Sequence, residues 1–124
     1  MFKIIYNITT MTELNISKLF LKNKVTLAIA ESCTGGLLSH LITNIPGSSK
    51  YFILGVIAYS NKSKISVLKI PKDIMVKNGA VCAEVVRLMA QSIRKVAKTD
   101  FGIGITGIAG PTGGSAKKPV GTVF

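Results

Sequence analysis

A chain of 124 residues makes one domain, long enough for a core of ordinary size and without room for a second. Hydrophobic residues at 48% against 17% charged exclude a disordered chain, and apolar runs of strand length exclude a membrane span, which needs about 20 apolar residues in succession. The net charge of +11 raises nucleic acid as a partner, but all of the 16 basic residues except Arg87 and Arg94 are Lys, spread along the chain with no Arg-rich run and no interleaved aromatics to stack bases, so the pattern argues against it.

At the N-terminus, MFKIIYNITT has neither a sustained apolar region nor a small-residue cleavage site, so no membrane association is expected and the location is expected to be cytoplasmic. Residues 1–11 read as an extension, with Met11 a possible alternative start, and residues 12–124 as the domain. TELNISKLFLKN at 12–23 sets Leu14, Ile16, Leu19 and Phe20 close to one helical face, with Thr12 as N-cap. VTLAIA at 25–30 is a continuous apolar run, the pattern of a strand covered on both faces. AESCTGG ends it, and GLLSHLITN at 36–44 has helical spacing before the IPGSS turn at 45–49.

YFILGVIAYS at 51–60 reads as a second strand, followed by the polar NKSK. IPKDI at 70–74 leads into a short helix. Residues 83–98 place Val85, Val86, Met89, Ile93 and Val96 on one stripe, a strongly amphipathic helix. FGIGIT at 101–106 is a third strand, 107–119 a glycine-rich loop, and VGTVF at 120–124 the start of a fourth strand. The alternation predicts an α/β fold, a three-layer α/β/α sandwich around a mostly parallel or mixed sheet.

In an open α/β sheet, ligands gather beyond the carboxyl ends of the strands. Three strands here end in polar sequence: AESCTGG, YSNKSK and TGIAGPTGG. In AESCTGG the glycines allow a tight turn, the following helix offers free N–H groups to an anion, and either Ser32 or Cys33 stands where a nucleophile would be exposed. The single His40 lies too far into the helix to serve Ser32 as base, which leaves lysine, and Lys62 and Lys64 both follow the second strand. TGIAGPTGG is neither a P-loop nor a dinucleotide fingerprint, though its backbone can curve round a phosphate or ribose. Cys33 and Cys82 form no CxxC pair and the acids Glu13, Glu31, Asp73, Glu84 and Asp100 are scattered, so no metal and no cofactor are indicated.

AESCTGG, PGSSKYF, GVIAYSNKSK, NGAV, AEVV and TGIAGPTGGSAKKPVGTV occur in the order of the C-terminal domain of the CinA family, and residues 12–124 resemble that domain. The resemblance implies a three-layer α/β/α sandwich and hydrolysis of the carboxamide of nicotinamide mononucleotide to nicotinate mononucleotide and ammonia. It implies Ser32 as nucleophile, Lys64 rather than Lys62 as base, and Tyr59 as an aid to positioning proton or substrate. Cys33, Thr34, Gly35, Gly36, Asn61, Thr106, Gly107, Gly110, Gly113 and Gly114 are the implied substrate contacts, with the phosphate against glycine-rich backbone and nearby Lys.

Three departures stand out. Cys82 replaces the usual Ser of GAVS, and Ala58 replaces the usual Thr before YSN. The family domain also continues past GTVF with a last strand and a closing helix, absent here. From that ending the expectation is exposed strand edge, self-association into a homo-oligomer or poor solubility, and weak activity. The alternative to an amidohydrolase is a truncated or degenerate domain that binds a nucleotide or a partner without turnover.

Overall fold

The computed structural model describes residues 2–124, and their side chains from Met11 onward. Helix α1 (Phe2–Asn23) leads into strand β1 (Leu27–Glu31), then α2 (Leu37–Thr43), a 3-10 turn (Ser48–Lys50) and β2 (Phe52–Ile57). Helices α3 (Asn61–Ser66), α4 (Lys72–Asn78) and α5 (Ala83–Ala97) follow, and β3 (Phe101–Ile105) completes a sheet of order β2-β1-β3. Both pairings are parallel, with Leu27 opposite Phe52 and Phe101.

The uninterrupted apolar run of β1 is explained by its position. All five of its residues are buried, and alternate side chains serve opposite layers. Leu27 and Ile29 pack with Tyr51, Ile42 and Leu38, and with Ile16 and Phe20 of α1. Ala28 and Ala30 face Val85, Met89 and Ile93 of α5 together with Leu68, Ile70 and Met75. The three α5 residues recur every four positions and are fully buried, each burial contributing about 1.5–3 kcal/mol. The result is the three-layer α/β/α sandwich, with α1 and α2 on one face and α5 on the other. Small alanines on the α5 side, and glycine at 102 and 104, let that helix lie against backbone: a Cβ at Gly104 would come within 2.5 Å of the Val86 carbonyl oxygen.

Four local readings change. Thr12 does not start a helix, because α1 is already helical from Phe2, no Gly or Pro interrupting residues 2–23; Met1 lies outside the described residues. On α1 it is Glu13 and Ser17 that are buried, whereas Leu19 is 59% exposed. The polar NKSK run is helical: Ser60 caps α3 by accepting from the Ser63 N–H at 3.0 Å. VGTVF does not extend the sheet as a fourth strand. It folds back antiparallel beside the residues that follow β3, Thr106 and Phe124 exchanging backbone hydrogen bonds of 3.0 and 2.9 Å, after the glycine-rich loop reverses the chain. Among the described residues no helix is long and apolar enough to cross a membrane.

Candidate active site

The carboxyl end of β1 carries Glu31 and Ser32 on opposite sides of the strand. Glu31 is fully buried, and its carboxylate accepts four hydrogen bonds from the segment just ahead: Thr34 Oγ1 (2.5 Å), the Leu38 N–H (3.1 Å), the Ser39 N–H (2.8 Å) and Ser39 Oγ (2.7 Å). Burial pushes the carboxyl pKa up, but the bonds from Thr34, Ser39 and Leu38 together outweigh it and hold the group below its ordinary range. The first N–H groups of α2 are therefore filled from within the chain. The sequence reading offered them to a ligand anion; Glu31 satisfies them instead.

Ser32, 6% exposed, faces the other way, toward α3. Lys64 reaches it from that helix: Nζ lies 2.8 Å from Ser32 Oγ and 2.9 Å from the Tyr59 carbonyl oxygen, which accepts from it. With 2% of its surface exposed, Lys64 is one of the largest fully buried side chains, and burial lowers its pKa, with Cys33 opposing in part. Among the described residues no carboxylate pairs with it. A buried amine of this kind gives up its proton more readily and is then free to accept the Ser32 hydroxyl proton. Lys62 is exposed on the same helix.

A cavity of about 190 Å3 opens over this pair. Ser32, Cys33, Tyr59, Asn61, Lys64, Thr106 and Gly107 all line it, joined by Ala80, Val81 and Ala109. The Tyr59 ring is 70% exposed at the rim, so its closest tie to the pair is its backbone carbonyl. Thr106 is buried and donates through Oγ1 to the Ala80 carbonyl at 3.0 Å, joining the end of β3 to the wall ahead of α5. Gly107 lies close to Cys33, since a Cβ there would sit 2.9 Å from Sγ.

Thr34, Gly35, Gly36, Gly110, Gly113 and Gly114 do not line the cavity. Thr34 spends its hydroxyl on Glu31. Gly35 and Gly36 form the turn, Gly36 at φ 99 where a side chain would be strained. Gly110 and Gly114 pack on Val120, and Gly113 lies near Ile108. His40 is exposed and touches Asn44, away from Ser32. Sequence reasoning missed the apolar wall of Ala80, Val81 and Ala109, although these residues sit inside the NGAV and TGIAGP motifs. It also missed Glu31, whose only signal was a carboxylate at the end of an otherwise apolar strand.

The family model of the CinA C-terminal domain matches residues 9–124. A protein of Moorella thermoacetica named for competence-damage induction is 56% identical over 100 residues, covering 81% of this chain and 24% of its own length. A CinA-like protein of Geotalea daltonii is 50% identical over 109 residues, covering 88% and 26%. The chain thus spans about a quarter of the length of the curated relatives it matches. The crystal structure of the competence/damage inducible protein CihA from Agrobacterium tumefaciens superposes with a TM-score of 0.90 at 36% identity, over 93% of this chain and 70% of that one. The chain belongs to the CinA C-terminal domain family.

Proposed function

We propose that this domain hydrolyses the carboxamide of nicotinamide mononucleotide, giving nicotinate mononucleotide and ammonia, with Ser32 as nucleophile and Lys64 as base. The observation that carries the reading is the 2.8 Å contact between Ser32 Oγ and the buried Lys64 Nζ. Neutral Lys64 accepts the Ser32 proton as Oγ attacks the carboxamide carbon. The tetrahedral oxygen is held by backbone donors of the turn, with the N–H of Cys33, which lines the cavity beside Ser32, as first candidate. Protonated Lys64 then returns the proton to the departing nitrogen, the C–N bond breaks and ammonia leaves. Water, losing a proton to Lys64, attacks the acyl-serine and releases the carboxylate, with Ser32 restored.

The cavity, about 190 Å3, is smaller than the roughly 300–1,000 Å3 typical of sites that enclose a whole ligand. It suits a pyridine ring and its carboxamide, between Ser32 and the apolar wall of Ala80, Val81 and Ala109. Ribose and phosphate then lie at the rim, near Tyr59, Asn61 and the 107–119 loop. Ammonia release from nicotinamide mononucleotide by the purified chain tests the proposal. Release that vanishes in Ser32→Ala supports it; tight binding of the nucleotide with no release supports a binding module instead.

A further inference from the structure

We infer that Glu31 is a positioning residue for Ser32, an internal anion that fixes the nucleophile's turn, and this rests on the Ser32–Lys64 reading above. Three observations converge. The carboxylate has no exposed surface, and all four of its donors belong to the segment 34–39 that begins two residues after Ser32. The backbone carbonyl of Glu31 accepts from the Ala58 N–H at 2.8 Å, one residue before Tyr59, whose carbonyl holds Lys64 Nζ. A single residue therefore ties the serine turn to α2 through its side chain and to the lysine's anchor through its main chain. Glu31 lies outside the cavity lining, so it acts through Ser32 rather than on substrate.

The donor pattern explains why a carboxylate is required. Oε2 accepts from Thr34 Oγ1 and the Leu38 N–H, Oε1 from the Ser39 N–H and Ser39 Oγ. A glutamine in either orientation must turn its NH2 toward one backbone N–H. The hydroxyl beside it can rotate and accept, but the N–H cannot, so one backbone donor is orphaned and the turn must shift. A displacement of about 1 Å at a nucleophile costs on the order of a hundredfold in rate.

The test compares wild type, Glu31→Gln and Ser39→Ala. Two readouts are used: kcat and KM for ammonia release, and the rate at which phenylmethylsulfonyl fluoride sulfonylates Ser32. In that labelling the Oγ–S bond forms, fluoride leaves and the proton passes to Lys64, with no nucleotide involved. For Glu31→Gln, at a temperature where circular dichroism reports a folded chain, kcat and labelling both fall about tenfold to a hundredfold while KM changes less than about threefold. Ser39→Ala, which removes one donor of four, slows both by a few-fold. Wild-type labelling and kcat in folded Glu31→Gln overturn the inference. If Glu31→Gln does not fold, Ser39→Ala decides, and wild-type rates there overturn it. Glu31-dependent labelling without ammonia release from the wild type leaves this inference standing and removes the amidohydrolase reading; if the wild type releases ammonia without labelling, kcat alone decides, and a wild type that neither labels nor releases ammonia overturns both.

Discussion

The turn after β1 and the loop after β3 are both glycine-containing, both follow a strand of the same sheet, and both contribute to the same cavity, yet they are built to opposite ends. In residues 31–39 a buried carboxylate satisfies four donors and Ser32 is nearly enclosed. In residues 107–119 most side chains are exposed, and the cross-chain tie of a side chain is Lys118 Nζ on the Asn78 carbonyl at 3.0 Å. Composition does not distinguish them. What separates them is an internal counter-group: the first has Glu31, whereas the second is closed by backbone bonds such as Ile108 N–H to the Thr122 carbonyl and Ser115 N–H to the Lys118 carbonyl, with most of its side chains left to solvent. Rigid geometry belongs where a bond is made, and an adaptable wall where the substrate is enclosed.

The largest effect expected from breaking the rigid side is Ser32→Ala, which should lower ammonia release by at least about a thousandfold. Cys33→Ala should keep much of the activity, because its assigned contribution is backbone. Steady-state kinetics on the two variants check this, and an inactive Cys33→Ala with an active Ser32→Ala would reverse the assignment.

Next in size is the base. Lys64→Arg stays charged and should be inactive, while Lys62→Arg on the exposed side of α3 should be close to wild type. The activity of the wild type should rise with pH through the lowered pKa of Lys64, because only the neutral amine accepts the serine proton. The sign for stability follows from the same shift. The folded pKa lies below the unfolded value of 10.5, so between the two the unfolded chain binds more protons, and stability contributed by this group increases as pH rises and declines as pH falls. Lys64→Met removes that dependence. Its melting temperature relative to wild type should be most favourable at low pH and should lose ground as pH is raised toward 10.5; a variant that gains on wild type as pH rises contradicts a depressed lysine.

How much of this was legible before the structure varies by element. The strands were plain because a parallel strand buried on both faces needs an unbroken apolar run, as in LAIA, and α5 was plain because Val85, Met89 and Ile93 repeat every four residues. Six residues of α3 cannot display a period, and its one sequence signal was the Ser60 cap. VGTVF has strand composition, but pairing is decided by where the preceding loop delivers it. Of the site, the motifs located the strand ends, and the structure brings Ser32 and Lys64, 32 positions apart in sequence, into contact. Glu31 was invisible because an acid at a strand end reads as exposed until its donors are known.

A smaller effect separates shape from chemistry. Gly36→Ala places a side chain at φ 99 with its Cβ 3.0 Å from Ile57 Cδ1. The backbone strain should destabilise the chain by about 1–3 kcal/mol, read as a lower melting temperature, while the flexible isoleucine tip gives way. If the turn is as tightly determined as its hydrogen bonds indicate, kcat should fall along with stability.

The smallest effect is expected on the loop side. Lys118→Ala removes the amine that holds the loop to the C-terminal end of α4, where Asn78 in turn donates through Nδ2 to Glu84 at 2.6 Å. Asn78 is half-buried at the end of its helix, where a water can take the place of the amine, so the melting temperature should move little. The loop itself keeps its backbone bonds from Ile108 to Thr122 and from Gly121 to Ile108, so it should not unfold. What changes is the freedom of the wall that would enclose ribose and phosphate. KM for nicotinamide mononucleotide should then rise a few-fold with kcat within about twofold, because Ser32 and Lys64 are held by the other region. A drop in kcat with unchanged KM would mean that the loop, too, sets the position of the reacting atoms, and the division between a rigid turn and an adaptable wall would fail.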